Sequence, residues 1–183
     1  EKIGMRKPRE AGQAIGSGIC LFAVFAVVMT GTLVGGAGIL AGLLHAPEEA
    51  FGQTVAYIRI CGSGSLFIVA YNLLGAVFRG IGDSKTPFVT VSIACVINIV
   101  GDLVLVAGFG MGAAGAALAT VAAQTFSVLI SFVIIRRKRA LPFEFSRKFI
   151  CFDKKIIAKE LKLGTPVALQ EFLVGTSFLV IQT

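Results

Sequence analysis

The chain has 183 residues, of which 56% are hydrophobic and only 15% are charged. Its mean hydropathy of +0.88 is far above that of soluble globular domains, so we exclude a water-soluble fold. A net charge of +7 would indicate a nucleic-acid partner only if the basic residues formed one solvated patch. They lie instead between long apolar runs, so we expect no nucleic-acid partner.

The apolar runs predict an all-α, polytopic membrane helix bundle. A bilayer core about 30 Å thick needs about 20 apolar residues, and hydrocarbon offers the backbone no hydrogen-bond partners, so a spanning run must be helical. We predict four helices and the start of a fifth, at about 11–44, 48–78, 84–108, 112–136 and 161–183. Because the chain begins with Glu1 and ends inside the fifth run, we expect it to be a fragment.

The distribution of basic residues predicts the orientation in the membrane. Every Lys and Arg except Arg59 lies before the first predicted helix, around the turn at 79–85, or in the stretch 136–162. An up-and-down path places these three segments on one side, and the opposite loops contain no Lys or Arg. Basic loops stay in the cytoplasm, so we expect a multi-pass protein of the plasma (inner) membrane with these segments cytoplasmic.

Residues 139–160 are predicted to form a basic cytoplasmic linker that contacts the lipid bilayer. Within it, Phe145, Phe149, Phe152 and Ile156 recur at spacings of three and four residues, with basic residues between them. That pattern favours an amphipathic helix on the inner membrane face over a solvated loop.

Two groups of small residues predict close helix contacts. The first, which we call the glycine row, consists of Gly31, Gly35, Gly38 and Gly42. Its GxxxG spacing favours tight packing against a neighbouring helix over a flexible hinge. The second is the run 112–117, which favours a close approach of the fourth predicted helix to the third.

Asn98, Asp102 and Thr120 are the strongest candidates for a functional site. Asn98 and Asp102 are one turn apart and share a helix face. At about 1.5 Å per residue, Asp102 lies about 22 Å from the cytoplasmic end of its helix and Thr120 about 12 Å below the external turn, so their heights nearly coincide. Their oxygens suit Na⁺ as a metal ligand set, or a buried carboxylate that takes up H⁺. A purely structural hydrogen-bond lock between the two helices is the alternative.

Three further residues are candidates for cavity or coupling positions. Gln124 belongs to a polar stripe on the fourth predicted helix. Arg59 is either a functional intramembrane charge or a side chain that reaches back to the interface. Glu171 is either a second ionisable transport residue or an interfacial acid paired with a linker lysine. The four cysteines show no metal-ligand or disulfide spacing, and we see no catalytic constellation, so we expect neither an enzyme nor a cofactor.

The segments 71–87, 98–102, 112–120 and 163–166 resemble, in sequence, order and spacing, the multidrug and toxic compound extrusion (MATE) transporters. The resemblance implies part of a two-lobe, twelve-helix transporter. It places a partial N-lobe at 1–138, the inter-lobe linker at 139–160 and the start of the first C-lobe helix at 161–183, roughly the third to seventh helices. Asn98, Asp102 and Thr120 fall on the family's N-lobe cation site, whereas Glu171 falls on no family position.

The resemblance implies a cation-coupled antiporter that exports amphipathic, often cationic drugs as Na⁺ or H⁺ enters. Its partners would be the bilayer, these substrates and the missing helices of the full-length chain. Three alternatives remain: a flippase for lipid-linked oligosaccharides on a related fold, a non-transporting membrane scaffold, and an inactive truncated product.

Overall fold

The computed structural model describes residues 8–137 and 153–182, and every regular element in these ranges is a helix. We number the helices in chain order and place a π-helical segment, Leu103–Gly108, between the fifth and sixth. The helices are α1 (Pro8–Gly35), α2 (Ala37–Leu43), α3 (Glu48–Ser63), α4 (Ser65–Gly80), α5 (Lys85–Asp102), α6 (Gly112–Arg137) and α7 (Lys154–Gln182). The predicted all-α fold class is confirmed.

The apolar helices identify a multi-pass membrane protein. Among the described residues α1, α5 together with the π segment, and α6 are each long and apolar enough to cross a bilayer. The pair α3 and α4 passes the same test as one span bent by 54°. The described part of the chain therefore contains three candidate spans, or four when the bent pair is counted as one.

A break at Gly36 divides the first predicted helix, 11–44, into α1 and α2. A Cβ atom at Gly36 would lie only 2.6 Å from the carbonyl oxygen of Thr32, so a larger residue would not fit this geometry. The Gly36 N–H still donates to that oxygen over 2.8 Å. The break therefore interrupts the helix without leaving this amide unpaired.

A bend at Gly64 divides the second predicted helix, 48–78, into α3 and α4. A Cβ atom at Gly64 would lie 2.5 Å from Val121 Cγ2 on α6, so α6 occupies the space that a side chain at the bend would need. Close by, Ser65 Oγ lies 2.6 Å from Thr30 Oγ1 and donates to the carbonyl oxygen of Ala26. The bend therefore lies where α1, α4 and α6 come together.

Side-chain caps define the starts of two helices. Asp83 Oδ1 accepts the Thr86 N–H over 3.0 Å and its Oδ2 accepts the Thr86 hydroxyl, so the Asp83 side chain caps the first turn of α5. Asp153 likewise accepts the Lys155 N–H over 2.9 Å at the start of α7.

At the turn before α6, Gly110 and Gly112 have φ values of +66° and +56°, which favour glycine.

The chain separates into two compact units, Phe22–Pro142 and a second made of Glu1–Leu21 with Phe143–Thr183. In the first unit the helix pair α5 and α6 is the most extensively packed. In the second unit Ala11, Ser17 and Ile157 are buried, and the Glu160 carboxylate lies over Gly18. Of the predicted amphipathic helix, Phe145, Phe149 and Phe152 lie outside the described residues. Ile156 lies in α7, which begins at Lys154, within the predicted linker 139–160 and before the predicted helix start at 161.

Candidate functional site

The antiparallel pair α5 and α6 carries the candidate site, and two contacts define its register. Asn98 on α5 lies opposite Thr120 on α6, and nearer the α5 start the Ser127 hydroxyl donates to the carbonyl oxygen of Thr90 over 3.2 Å. Ser127 is fully buried and Thr90 is 3% exposed. This register places Asn98 and Thr120 at one level, whereas the sequence-based estimate gave nearly equal heights to Asp102 and Thr120.

Small residues let the two helices approach closely around this level. A Cβ atom at Gly101 would lie 2.9 Å from Ala119 Cβ, and one at Gly115 would lie 3.1 Å from the backbone carbon of Leu105. The predicted close approach of the run 112–117 to the preceding helix is therefore confirmed at Gly115. Gly101 contributes a second close contact of the same kind.

A chain of hydrogen bonds orients the polar side chains of the site. Asn98 Nδ2 donates to Thr120 Oγ1 over 3.3 Å, and the Thr120 hydroxyl donates to the Ala116 carbonyl oxygen over 2.9 Å. Because the Asn98 amide donates through its nitrogen, its carbonyl oxygen stays available as an acceptor. Asp102 lies one turn further along α5.

Asp102 presents a buried oxygen that no donor satisfies. Among the described residues, Asp102 Oδ1 is inaccessible to solvent and has no hydrogen-bond partner. A buried acceptor without a donor is costly, and a bound cation or proton would relieve that cost. Oxygens of a carboxylate, an amide and a hydroxyl are the hard ligands that Na⁺ accepts. The described residues contain no cluster of three His, Cys, Asp or Glu side chains suited to a transition metal.

Gln124 extends the same face of α6 by one turn and also has an unsatisfied oxygen. Its Oε1 is buried and has no hydrogen-bond partner among the described residues. In the α5–α6 register it lies one turn nearer the start of α5 than the Asn98–Thr120 pair. The structure thus places Gln124 beside the site, on the side opposite Asp102.

Tyr57 on α3 belongs to the surroundings of Asp102, although the sequence pattern did not single it out. Its hydroxyl hydrogen-bonds with Cys61 one turn along α3 and lies in the neighbourhood of Asp102. Tyr57 is one of only two tyrosines in the chain. A phenolic hydroxyl inside an apolar helix is the signal that could have identified it.

Arg59 and Glu171, the two remaining charged candidates from the sequence, are both exposed. Arg59 is exposed on α3. Glu171 is exposed on α7, which belongs to the other compact unit. The structure does not join Arg59 to the hydrogen bonds of Asn98 and Thr120, and the roles of Arg59 and Glu171 stay as predictions.

The MatE family model matches residues 1–104, which is more than half of the chain. The chain belongs to the MATE family. The probable multidrug resistance protein YpnP of Bacillus subtilis is 32% identical over 166 residues, covering 87% of this chain and 37% of the relative. YoeA of the same organism, also named a probable multidrug resistance protein, is 34% identical over 142 residues, covering 74% and 30%.

The fold of this chain is also similar to that of solved MATE transporter structures. One is the inward-facing conformation of a multidrug resistance MATE family transporter, with a TM-score of 0.83 and 24% sequence identity. The match covers 90% of this chain and 38% of that one. The chain thus spans about a third of the length of the relatives that it matches, and the family resemblance of its sequence motifs is confirmed.

Proposed function

We propose that this MATE chain forms part of a cation-coupled antiporter that exports amphipathic, often cationic compounds across the inner membrane. Asp102 is the coupling carboxylate, and Asn98 and Thr120 are its supporting ligands. The observation that carries this proposal is the buried, donor-free Asp102 Oδ1 one turn from the Asn98–Thr120 hydrogen bond. The names of the relatives, which describe multidrug resistance proteins, support the class of substrate.

A carboxylate in this position suits coupling because its charge must be neutralised within the membrane. An unpaired carboxylate in an apolar surrounding is costly, whereas Na⁺ or H⁺ bound to Asp102 removes the net charge. Cation binding then favours whichever conformation of the transporter holds these oxygens together. Coupling requires that the outward- and inward-facing states differ in cation affinity.

The orientation of the protein follows from its basic residues. Arg79 and Lys85 flank the turn between α4 and α5, and Arg136 and Arg137 end α6. The Arg136 guanidinium lies 5.2 Å from the centre of the Phe132 ring, which suits a side chain at a membrane interface. We place these ends of the helices, with the basic linker, in the cytoplasm.

The test compares dye efflux by the complete protein and by its Asp102→Asn variant at matched membrane expression. Cells that lack their own drug exporters are loaded with a fluorescent cationic dye, and Na⁺ or H⁺ gradients are imposed in turn. We expect gradient-dependent efflux from the wild type and at least a tenfold slower rate from the variant. Ser63→Ala, at an exposed position outside the cluster, serves as the control and is expected to export at close to the wild-type rate.

The other outcomes assign the function differently. Equal efflux by wild type and Asp102→Asn would show that Asp102 only locks the helices together. Absence of dye export by both would contradict the drug-exporter proposal and favour lipid-linked oligosaccharide flipping or a scaffold.

A further inference from the structure

Gly101 and Ala119 pack against each other directly beside the proposed cation ligands. Gly101 precedes Asp102 on α5, and Ala119 precedes Thr120 on α6. A Cβ atom at Gly101 would lie 2.9 Å from Ala119 Cβ and 3.4 Å from Ala119 Cα. Ala119 is 1% exposed, and its Cβ is fixed to the backbone, so only a shift of α6 itself would relieve the overlap.

The size of that shift exceeds what the neighbouring hydrogen bond tolerates. Carbon atoms in contact lie about 3.5–4.0 Å apart, so a methyl group at position 101 would separate the helices locally by about 0.5–1 Å. The Asn98–Thr120 hydrogen bond is already 3.3 Å long. Because a separation of about 3.6 Å is no longer a hydrogen bond, the pair tolerates only about 0.3 Å of further separation.

We propose that Gly101 and Ala119 are positioning residues that set the distance between α5 and α6 at which Asp102, Asn98 and Thr120 can share one cation. This inference rests on the proposed function. Neither residue touches the cation; each acts through the ligand next to it in the chain. Because glycine at position 101 lets α5 and α6 come this close, it increases the affinity for the cation as well as the packing of the two helices.

The α5–α6 interface offers a matched control for ordinary packing. Gly115 is also crowded, since a Cβ atom there would lie 3.0 Å from Met111 Cβ and 3.1 Å from the Leu105 backbone. Those contacts lie beside the π segment and not beside Asn98 or Thr120. If crowding acted only through stability, Gly115→Ala and Gly101→Ala would have the same effects.

The experiment measures cation binding at Asp102 directly in the complete, purified protein. A hydrophobic carbodiimide modifies protonated carboxyl groups, and labelling of Asp102 is followed by mass spectrometry while Na⁺ is titrated at fixed pH. For an H⁺-coupled protein, the rate of dye efflux driven by an imposed H⁺ gradient is recorded instead. The variants are Gly101→Ala, the double variant Gly101→Ala/Ala119→Gly, and Gly115→Ala.

We expect Gly101→Ala to raise the half-protecting Na⁺ concentration roughly three- to tenfold, the effect of losing about one hydrogen bond. In the H⁺-coupled case the rate of H⁺-driven dye efflux falls by the same factor. The double variant, which returns the space taken by the new methyl group, restores the wild-type value. Gly115→Ala lowers thermal stability and leaves cation binding unchanged.

Three results would overturn the inference: unchanged cation binding in Gly101→Ala, no recovery in the double variant, or an equal loss in Gly115→Ala. If Gly101→Ala does not reach the membrane, the double variant decides, since it must then recover both expression and wild-type binding. Failure of the proposed function is distinguishable. It would show as efflux insensitive to Asp102→Asn together with Asp102 labelling that no Na⁺ concentration alters in the wild type.

Discussion

The glycine row of α1 and α2 differs from the glycines of α5 and α6 in what lies opposite each of them. A Cβ atom on any of Gly31, Gly35, Gly38 or Gly42 would meet no atom within 4 Å in the described part of the chain. Gly101 and Gly115, which are not in a GxxxG pair, face Ala119 and Leu105 at close range. Regular spacing therefore shows that a helix can accept a close neighbour, and only the fold shows where it has one.

Among the glycines compared here, we expect substitution of Gly64, at the bend between α3 and α4, to have the largest effect on stability. Gly64 has φ −83° and ψ −1°, so alanine is compatible with the backbone, and the obstacle is Val121 at 2.5 Å. We expect Gly64→Ala to destabilise the protein by about 1–3 kcal/mol through overpacking. The measurement is the temperature at which half of the detergent-solubilised protein loses its monodisperse gel-filtration peak.

A second substitution identifies the cause of that loss. Val121→Ala removes the two methyl groups nearest to position 64, so the double variant is expected to regain most of the lost thermal stability. Persistent instability of the double variant would instead mean that the bend itself requires glycine.

Ser65 and Thr30 form a contact between α4 and α1 through their hydroxyl groups, whereas the contacts above depend on glycines. Their oxygens lie 2.6 Å apart, and Ser65 is 5% exposed. We expect Ser65→Ala to lower the free energy of unfolding by about 0.6 kcal/mol, the average for hydrogen bonds between membrane helices. The same thermal assay measures it, and Ser63→Ala, at an exposed position, is the control. A loss of equal size in both variants would contradict the assignment.

In the second unit, the carboxyl group of Glu160 lies opposite Gly18, a glycine of α1. Burial raises the pKa of the Glu160 carboxyl, so the folded state favours its neutral form. Ionisation therefore costs stability above the folded-state pKa, and that cost disappears below the unfolded-state pKa. We expect Glu160→Gln to raise thermal stability slightly at pH 8 and to leave it unchanged at pH 4. A loss at pH 8 would show that the carboxylate has a stabilising partner.

The open glycine row gives the smallest expected effect. Because Gly31 lies inside α1 with no atom near its missing side chain, Gly31→Ala adds helix propensity, worth roughly 0.5–1 kcal/mol in soluble helices, without a clash. We expect unchanged or slightly higher thermal stability in the complete protein. A clear loss of stability would mean that a helix outside the described residues packs against the row, as the GxxxG spacing predicts.

The sequence alone determined the fold class, the family and the helix pair that carries the candidate site. Long uncharged runs require helices because hydrocarbon cannot satisfy the backbone. The regular rise of a helix predicted that Asp102 and Thr120 lie at nearly the same height. The caps at Asp83 and Asp153 follow from local chemistry in the same way. These features depend on neighbouring residues or on the solvent, so a linear pattern contains them.

Only the tertiary structure decided where helices break and which small residues touch. A glycine inside a helix costs only about 1 kcal/mol relative to alanine. The sequence therefore does not show whether the helix breaks at Gly36 or Gly64 or continues through it. The contacts of Gly64 with Val121 and of Gly101 with Ala119 join residues that lie far apart in the chain. The position of Tyr57 near Asp102 depends likewise on how α3 packs beside α6. Such contacts arise from the relative placement of helices, which the periodicity of a single helix does not specify.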